Sequence, residues 1–148
     1  MTSERGGASF SLDRGTPFGA RVARHLTEDL VVWLTTVGPA GQPEPSPVWF
    51  LWDGAASVLM YSRPSPRVRN IAANPRVALN FPGDGAGGDI VVLSGVASAD
   101  DGAGPADAVP EYLAKYRSSI GGIGLTPREF SGEYRQPIRI RLTGLRGH

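Results

Sequence analysis

Hydrophobic and polar positions alternate over short stretches of this chain, and turns rich in glycine and proline separate those stretches. Short apolar runs with β-branched and aromatic residues, bounded by such turns, predict strands rather than long helices. Six stretches fit this pattern: 30–37, 45–52, 58–62, 77–81, 90–97 and 138–142. Six strands at short spacing, with helices as fillers, indicate a mainly β (α+β) domain built as an antiparallel barrel.

Short helices are expected between some of these strands. Arg21–Leu26 and 109–119 show helical patterning, and Thr126-Pro127-Arg128-Glu129 forms a capping box with proline at the first helical position. The prolines at 43, 45 and 47 predict that the second strand begins at an edge or a bulge. We expect residues 1–15 to form a loose N-terminal arm and residues 16–148 to form a single domain.

Composition narrows the classes of function. A net charge of +1 gives no general reason to expect a nucleic-acid or anionic-membrane partner. The longest wholly apolar run, 30–34, is too short to span a bilayer, and the N-terminus lacks a signal-peptide pattern, so we expect a cytoplasmic protein. Cysteine is absent and His25 and His148 are the only histidines, so no metal site is expected.

The segment from Ser62 to Val77 carries the clearest chemical signal. It reads as a strand end, a tight turn and a short helix, in which Ser65 suits the N-cap and Pro66 the first helical position. Arg67 then falls in the first turn, where free backbone N–H groups and the helix dipole favour an anion such as a phosphate. Arg63 and Arg69 flank it, although all three arginines could be solvated surface charges. Helical spacing predicts that Arg67, Asn70 and Asn74 share one face, while Val68, Ile71 and Ala72 pack beneath.

A second candidate feature is the apolar strand around Trp49. Both of its alternating faces are apolar, which fits burial in a core, a subunit interface, or a wall of Pro47, Val48 and Trp49 against a planar ring. No pair of nucleophile and base is recognisable in the sequence. If the protein is an enzyme, a cofactor must therefore supply the difficult chemistry.

From Leu30 to Arg146, these residues resemble the pyridoxamine 5′-phosphate oxidase-like superfamily of split β-barrels, which bind FMN or the deazaflavin F420. More narrowly, they are similar to the actinobacterial branch of F420-dependent enzymes. The most specific match is Ser-x-x-x-x-Arg-x-Arg-Asn-Ile-x-x-Asn-Pro-Arg-Val at 62–77. Supporting matches are Gly41-Gln42-Pro43, Pro47-Val48-Trp49-Phe50, Asp53-Gly54, Glu129-Phe130 and Tyr134-x-x-Pro-Ile-Arg-Ile.

The resemblance implies a six-stranded antiparallel split β-barrel that forms a homodimer with two cofactors at the interface. It also implies that Arg67 holds the cofactor phosphate, with Ser62, Arg63 and Ser65 as neighbours. The positions that would line the ring system are Pro47, Val48, Trp49, Met60 and Tyr61. Arg67 stands where many relatives carry lysine, and arginine keeps the charge while adding a fork of donors.

The resemblance favours hydride transfer between F420 and a small conjugated acceptor. An FMN-dependent oxidoreductase, or a non-catalytic F420, flavin or haem binder, are the alternatives. The Trp/Arg/Gln-bearing strand and the C-terminal Trp…Arg motif of true pyridoxamine phosphate oxidases are missing. The Gly83–Gly88 loop replaces the first, and the sequence ends at Gly147-His148, which argues against vitamin B6 oxidation.

Overall fold

The computed structural model describes residues 10–148, which form four α-helices and seven strands. The helices are α1 (Pro17–Glu28), α2 (Pro66–Ala73), α3 (Pro110–Gly122) and α4 (Pro127–Glu133). The strands are β1 (Val32–Val37), β2 (Pro43–Val48), β3 (Leu51–Trp52), β4 (Ser57–Ser62), β5 (Arg76–Asn80), β6 (Val91–Ala99) and β7 (Gln136–Gly147). Each helix begins with proline, whose fixed φ suits the first turn and whose missing N–H has no partner to lose there.

The strands form one antiparallel sheet in the order β2-β1-β5-β6-β7-β4-β3. β2 and β3 lie at opposite edges of this sheet, yet only Trp49 and Phe50 separate them in sequence. Two residues cannot span a flat seven-stranded sheet, so the sheet must curl until its edges approach. The resulting half-barrel with short helices confirms the predicted fold class.

The prediction of six strands was wrong by one because the run 45–52 divides in two. The backbone N–H of Phe50 donates to the Tyr116 hydroxyl (2.9 Å), and its carbonyl accepts from Lys115 Nζ (3.0 Å). Side chains of α3 thus satisfy the backbone groups at the break, where neighbouring strands would otherwise pair with them. The chain can then pass from β2 on one edge to β3 on the other.

Two clusters of buried side chains lie on either side of β4. Val58 and Met60 belong to the main core, together with residues of α1 and the other strands. Leu59 and Tyr61 face the other way and pack with Tyr112, Tyr116, Ile120 and Phe130 of α3 and α4. Because successive side chains of a strand point to opposite faces, β4 joins the barrel core to this helical layer.

The structure extends several other predictions. α1 begins at Pro17 rather than Arg21 because Thr16 caps it, its hydroxyl accepting from the Gly19 N–H at 3.0 Å. The connection between β6 and α3 contains two short 3₁₀ turns, Asp101–Ala103 and Ala106–Ala108, and the buried Ala106. Of the predicted loose arm, residues 1–9 lie outside the described part, whereas Phe10 and Leu12 pack against the main core. Within residues 10–148, no helix is long and apolar enough to cross a membrane.

Candidate functional site

A cavity of about 570 Å³ opens where β2 ends, where β4 meets α2, and where α3 and α4 cover the sheet. Its volume lies within the range typical of sites for cofactors and other small molecules, roughly 300–1,000 Å³. The residues that line it are Pro47, Val48, Trp49, Tyr61, Arg63, Pro64, Ser65, Arg67, Tyr112, Ile123, Phe130 and Tyr134. Basic and aromatic side chains therefore share one cavity.

Arg67 is the half-buried cation of this cavity. Its Nη2 and Nε donate to Ser46 Oγ at 2.8 and 3.2 Å, and its Nη1 donates to Ser62 Oγ at 3.1 Å. These hydroxyls fix the guanidinium but do not neutralise it, and within residues 10–148 no carboxylate lies in salt-bridge range of it. Burial lowers the pKa of Arg67 from its ordinary value, although arginine stays charged at any physiological pH.

The N-terminus of α2 differs in detail from the sequence prediction. Ser65 occupies the N-cap position, but its hydroxyl caps no backbone N–H and instead lies 3.4 Å from Ser62 Oγ. Arg67 and Asn70 share the face of α2 that points towards β2, as the helical spacing predicts, because Arg67 donates to Ser46 and Asn70 donates to Glu44 of that strand. Asn70 is buried and donates to Thr36 Oγ1 (3.1 Å) and Glu44 Oε1 (2.7 Å). The expected packing of Ala72 was wrong, because Ala72 is exposed.

The two flanking arginines behave differently from each other. Arg63 lines the cavity, and its guanidinium carbon lies 5.6 Å from the centre of the Tyr134 ring, a cation–π distance. Arg69 is exposed and does not contribute to the lining. The surface-charge interpretation therefore holds for Arg69 and not for Arg67.

Four aromatic rings stack in a ladder beside the cavity: Tyr116, Trp49, Phe130 and Tyr134. The successive centroids are 4.9, 5.5 and 4.5 Å apart, and the successive interplanar angles are 9°, 14° and 13°. Trp49 is half-buried in this ladder, so it packs with the helical layer and lines the cavity at once. Three of the four rings, those of Trp49, Phe130 and Tyr134, give the cavity an aromatic wall.

The structure brings most of the predicted cofactor-binding residues together. Those that line the cavity are Pro47, Val48, Trp49, Tyr61, Arg63, Ser65 and Arg67. Ser62 is buried behind them and contacts Arg67. Met60 does not line the cavity, because its side chain points from the opposite face of β4 into the main core. That these residues bind a cofactor stays a prediction.

Sequence reasoning missed the part of the cavity that comes from the helical layer. Tyr112 lies on α3 and Ile123 at its C-cap, while Phe130 lies on α4 and Tyr134 at its C-cap. The spacing of Tyr112 and Tyr116 marked a buried helix face, yet nothing in it indicated that this face borders a cavity. Ser46 was also missed, since a serine between two prolines gives no sign of holding an arginine.

Comparison with known proteins identifies the family of this chain. The sequence model of the family described as Pyridoxamine 5′-phosphate oxidase matches residues 18–145. The chain belongs to this family. A search of curated proteins found no significant sequence match.

Several solved structures share the fold of this chain. An F420 reductase aligns with 24% identity and a TM-score of 0.63, over 82% of this chain and 92% of its own. The haem storage protein HutZ of Vibrio cholerae aligns with 20% identity and a TM-score of 0.60, over 89% and 95%. General Stress Protein 26 of Bacillus anthracis aligns with 16% identity and a TM-score of 0.64, over 85% of this chain and 89% of its own. One fold thus serves proteins of different function, so function must be argued from the site.

Proposed function

We propose that the protein is a cytoplasmic oxidoreductase that binds F420 in the cavity and uses it to transfer a hydride to a small conjugated acceptor. The observation that carries the proposal is Arg67, a half-buried cation fixed by two serines at one end of an aromatic-walled cavity. An F420 reductase shares the fold of this chain, which supports the choice of cofactor.

The residues fit the phosphate end of such a cofactor. Arg67 has donors held in place by Ser46 and Ser62 but no anionic partner among the described residues. Ser65 adds a hydroxyl that caps no helix N–H, next to the start of α2. A half-buried arginine without a counter-charge is costly unless an anion joins it, and a phosphate accepts from the guanidinium fork.

The aromatic residues fit the ring end. Trp49, Phe130 and Tyr134 present a stacked wall, and Pro47 and Val48 add apolar surface from β2. A ring held against this wall is shielded from water on one side and keeps the other side for an acceptor. F420 supplies hydride transfer itself, so the chain needs to bind and orient two rings rather than provide an acid or base.

FMN is the alternative cofactor, and the same phosphate and ring contacts suit it. Haem is less well supported. No histidine lines the cavity in the described part of the chain, and His25 is paired with Asp29 and Asp89 elsewhere. The cavity's tyrosines are then the axial ligands available there, as in some haem proteins.

The proposal includes a homodimer. Among the described residues, four large apolar side chains are exposed, and one of them, Ile123, lines the cavity. A second, Trp33, pairs across β1 and β2 with Pro47, which also lines the cavity. Directly opposite residues of an antiparallel pair project to the same face. A second copy on this face would cover apolar surface next to the cavity and help to close it.

The test is equilibrium binding of purified protein to F420 and FMN in parallel, followed by fluorescence. We expect tight F420 binding and weaker FMN binding. Arg67→Ala should weaken binding by about 1–3 kcal/mol, which is about 5- to 150-fold in Kd, as for a charge-assisted hydrogen bond to phosphate.

Arg69→Ala is the matched control, because it removes the same charge from the same helix outside the cavity. It should leave Kd within about twofold, a change smaller than one hydrogen bond. Equal losses in both variants would show that general charge, rather than the cavity, attracts the cofactor. Binding of neither cofactor would remove the proposed function, and preference for FMN would move the protein to the FMN-dependent branch.

A further inference from the structure

Tyr112 carries a buried hydroxyl that the described structure leaves without a hydrogen-bond partner. Its side chain projects from α3, is 0% exposed, and is one of those that line the cavity. Its ring is packed between Tyr61 (centroids 5.0 Å apart, edge-on), Tyr116 (4.9 Å) and Phe130 (6.1 Å). Phenylalanine would fill the same space without the cost of burying an unpaired hydroxyl.

The neighbouring tyrosines show how the same layer satisfies a hydroxyl when the fold itself uses it. Tyr61 donates to the Gly104 carbonyl at 2.9 Å. Tyr116 donates to the Leu30 carbonyl at 2.7 Å and accepts from the Phe50 N–H at 2.9 Å. Both hydroxyls tie loops to the helical layer, whereas that of Tyr112 ties nothing and has no structural role of this kind.

The protonation state of Tyr112 defines what the hydroxyl can do. Burial raises the pKa of Tyr112 above its ordinary value of 10.0, and the neighbouring Tyr116 and Tyr61 add to the rise. The hydroxyl is therefore a neutral O–H at physiological pH, free to donate. Its natural partner is an acceptor, such as a carbonyl oxygen or an aromatic ring nitrogen.

We propose that Tyr112 donates a hydrogen bond to a carbonyl oxygen or ring nitrogen of the planar ligand bound in the cavity. The inference rests on the proposed function and deepens it, because it places the heteroatom-bearing part of the ring at the α3 side. Arg67, by contrast, anchors the phosphate at the α2 side. Together the two contacts define the direction in which the ligand lies in the cavity.

The experiment compares wild type and Tyr112→Phe for two readouts: Kd for F420 and FMN, and the melting temperature without ligand. We expect Kd for the ligand that wild type binds to rise about tenfold, the effect of one lost hydrogen bond that leaves its acceptor buried. The ligand-free melting temperature should stay unchanged or rise, because an unpaired hydroxyl has been removed. The visible absorption band of the bound ring should also shift, since a donor to a ring heteroatom has gone.

Tyr116→Phe is the control, because its hydroxyl already has partners in the fold. It should lower the ligand-free melting temperature, which is the opposite signature. If wild type binds a cofactor and Tyr112→Phe changes neither Kd nor the absorption band, a trapped water or no partner at all satisfies Tyr112, and the inference alone is overturned. If wild type binds neither F420 nor FMN, the proposed function fails and this inference fails with it.

Discussion

Arginine is the dominant cation of this chain, and the surroundings of each guanidinium decide what it does. Arg21 lies 2.7 Å from Asp89, and Arg139 lies 3.1 Å from Asp100. These are partly exposed ion pairs that connect elements and contribute little free energy individually. Arg67 is held by neutral hydroxyls instead, so no carboxylate among the described residues neutralises its charge. The sequence and the resemblance singled out Arg67, but its serine partners and the lack of a nearby carboxylate among the described residues are set by the tertiary fold.

Also at the residue scale, His25 of α1 forms a pH-sensitive ion-pair cluster with Asp29 and with Asp89, which follows the Gly83–Gly88 loop. Its Nδ1 lies 2.6 Å from Asp29, and its Nε2 lies 3.0 Å from Asp89. Burial lowers the pKa of His25, but hydrogen bonds and charge attraction from the two carboxylates outweigh it and raise the pKa above 6.5. The pKa of Asp89 is lowered from 3.8 by its hydrogen bonds to His25 and Arg21.

We therefore expect Asp89→Asn to destabilise the protein in a pH-dependent way. The pKa of His25 is raised, so its contribution to stability is full below pH 6.5 and disappears as the pH rises through the folded-state pKa. The pKa of Asp89 is lowered, so its contribution is present above pH 3.8 and is lost as the pH falls through its folded-state pKa. The difference in melting temperature between wild type and Asp89→Asn should thus be largest near about pH 5 and smaller at about pH 9.

The remaining difference at high pH reports the loss of Arg21 pairing. Asparagine is the suitable replacement because Asp89 has a φ of 54°, which asparagine also tolerates. His25→Gln is the control and should itself show a smaller cost at high pH. A difference that stays constant across the range would mean that His25 is not charged in this cluster.

At the scale of elements, β6 and β7 form the longest pairing in the sheet, and Gly95 interrupts it. The register shifts between Ser94 and Gly95, which marks an irregularity in the ladder. A Cβ at Gly95 would lie 2.6 Å from Ile140 Cγ2 and 3.1 Å from the Arg141 carbonyl oxygen. These distances leave no room for a methyl group against a buried neighbour.

Gly95→Ala should accordingly destabilise the fold by about 1–3 kcal/mol, the usual cost of overpacking a core. Urea unfolding of the variant measures it directly. Gly144→Ala on the facing strand is the matched control, because its Cβ would lie 3.7 Å from Ser94, an ordinary contact distance. Comparable losses in both variants would attribute the effect to backbone conformation instead of the close approach at Ile140.

Elements with local signals could be predicted from sequence. α4 begins at the predicted capping box. Thr126 Oγ1 accepts from the Glu129 N–H, and the Glu129 carboxylate accepts from the Thr126 N–H. α2 ends at Ala73 with Asn74 as its C-cap, because a residue that precedes a proline disfavours the helical conformation. The break at Phe50 could not be predicted, because its cause is Tyr116 and Lys115, more than 60 positions away in sequence.

At the scale of the whole molecule, the cavity depends on topology that no local pattern encodes. Local sequence placed Arg67 at a helix start and Trp49 on a strand, and the resemblance placed both beside one ligand. The rest of the lining includes Tyr112 and Phe130, which reach the site because α3 and α4 pack over β4. The size of the cavity and the unpaired Tyr112 hydroxyl follow from that packing and could not be read from sequence.

The exposed apolar face beside the cavity gives the last prediction. Trp33 is 38% exposed and Val31 is 37% exposed, and both are costly to leave in water next to Leu30.

We expect wild type to have twice the mass of one chain in light scattering. Trp33→Glu should shift it towards a monomer, because a second copy would have to bury the new carboxylate. Cofactor affinity should fall in parallel, because the proposed second copy helps to close the cavity. Thr143→Glu, which places the same charge at an exposed position of β7, should remain dimeric and bind normally. A wild type that is monomeric at every concentration, yet binds cofactor tightly, would show that one chain completes the site by itself.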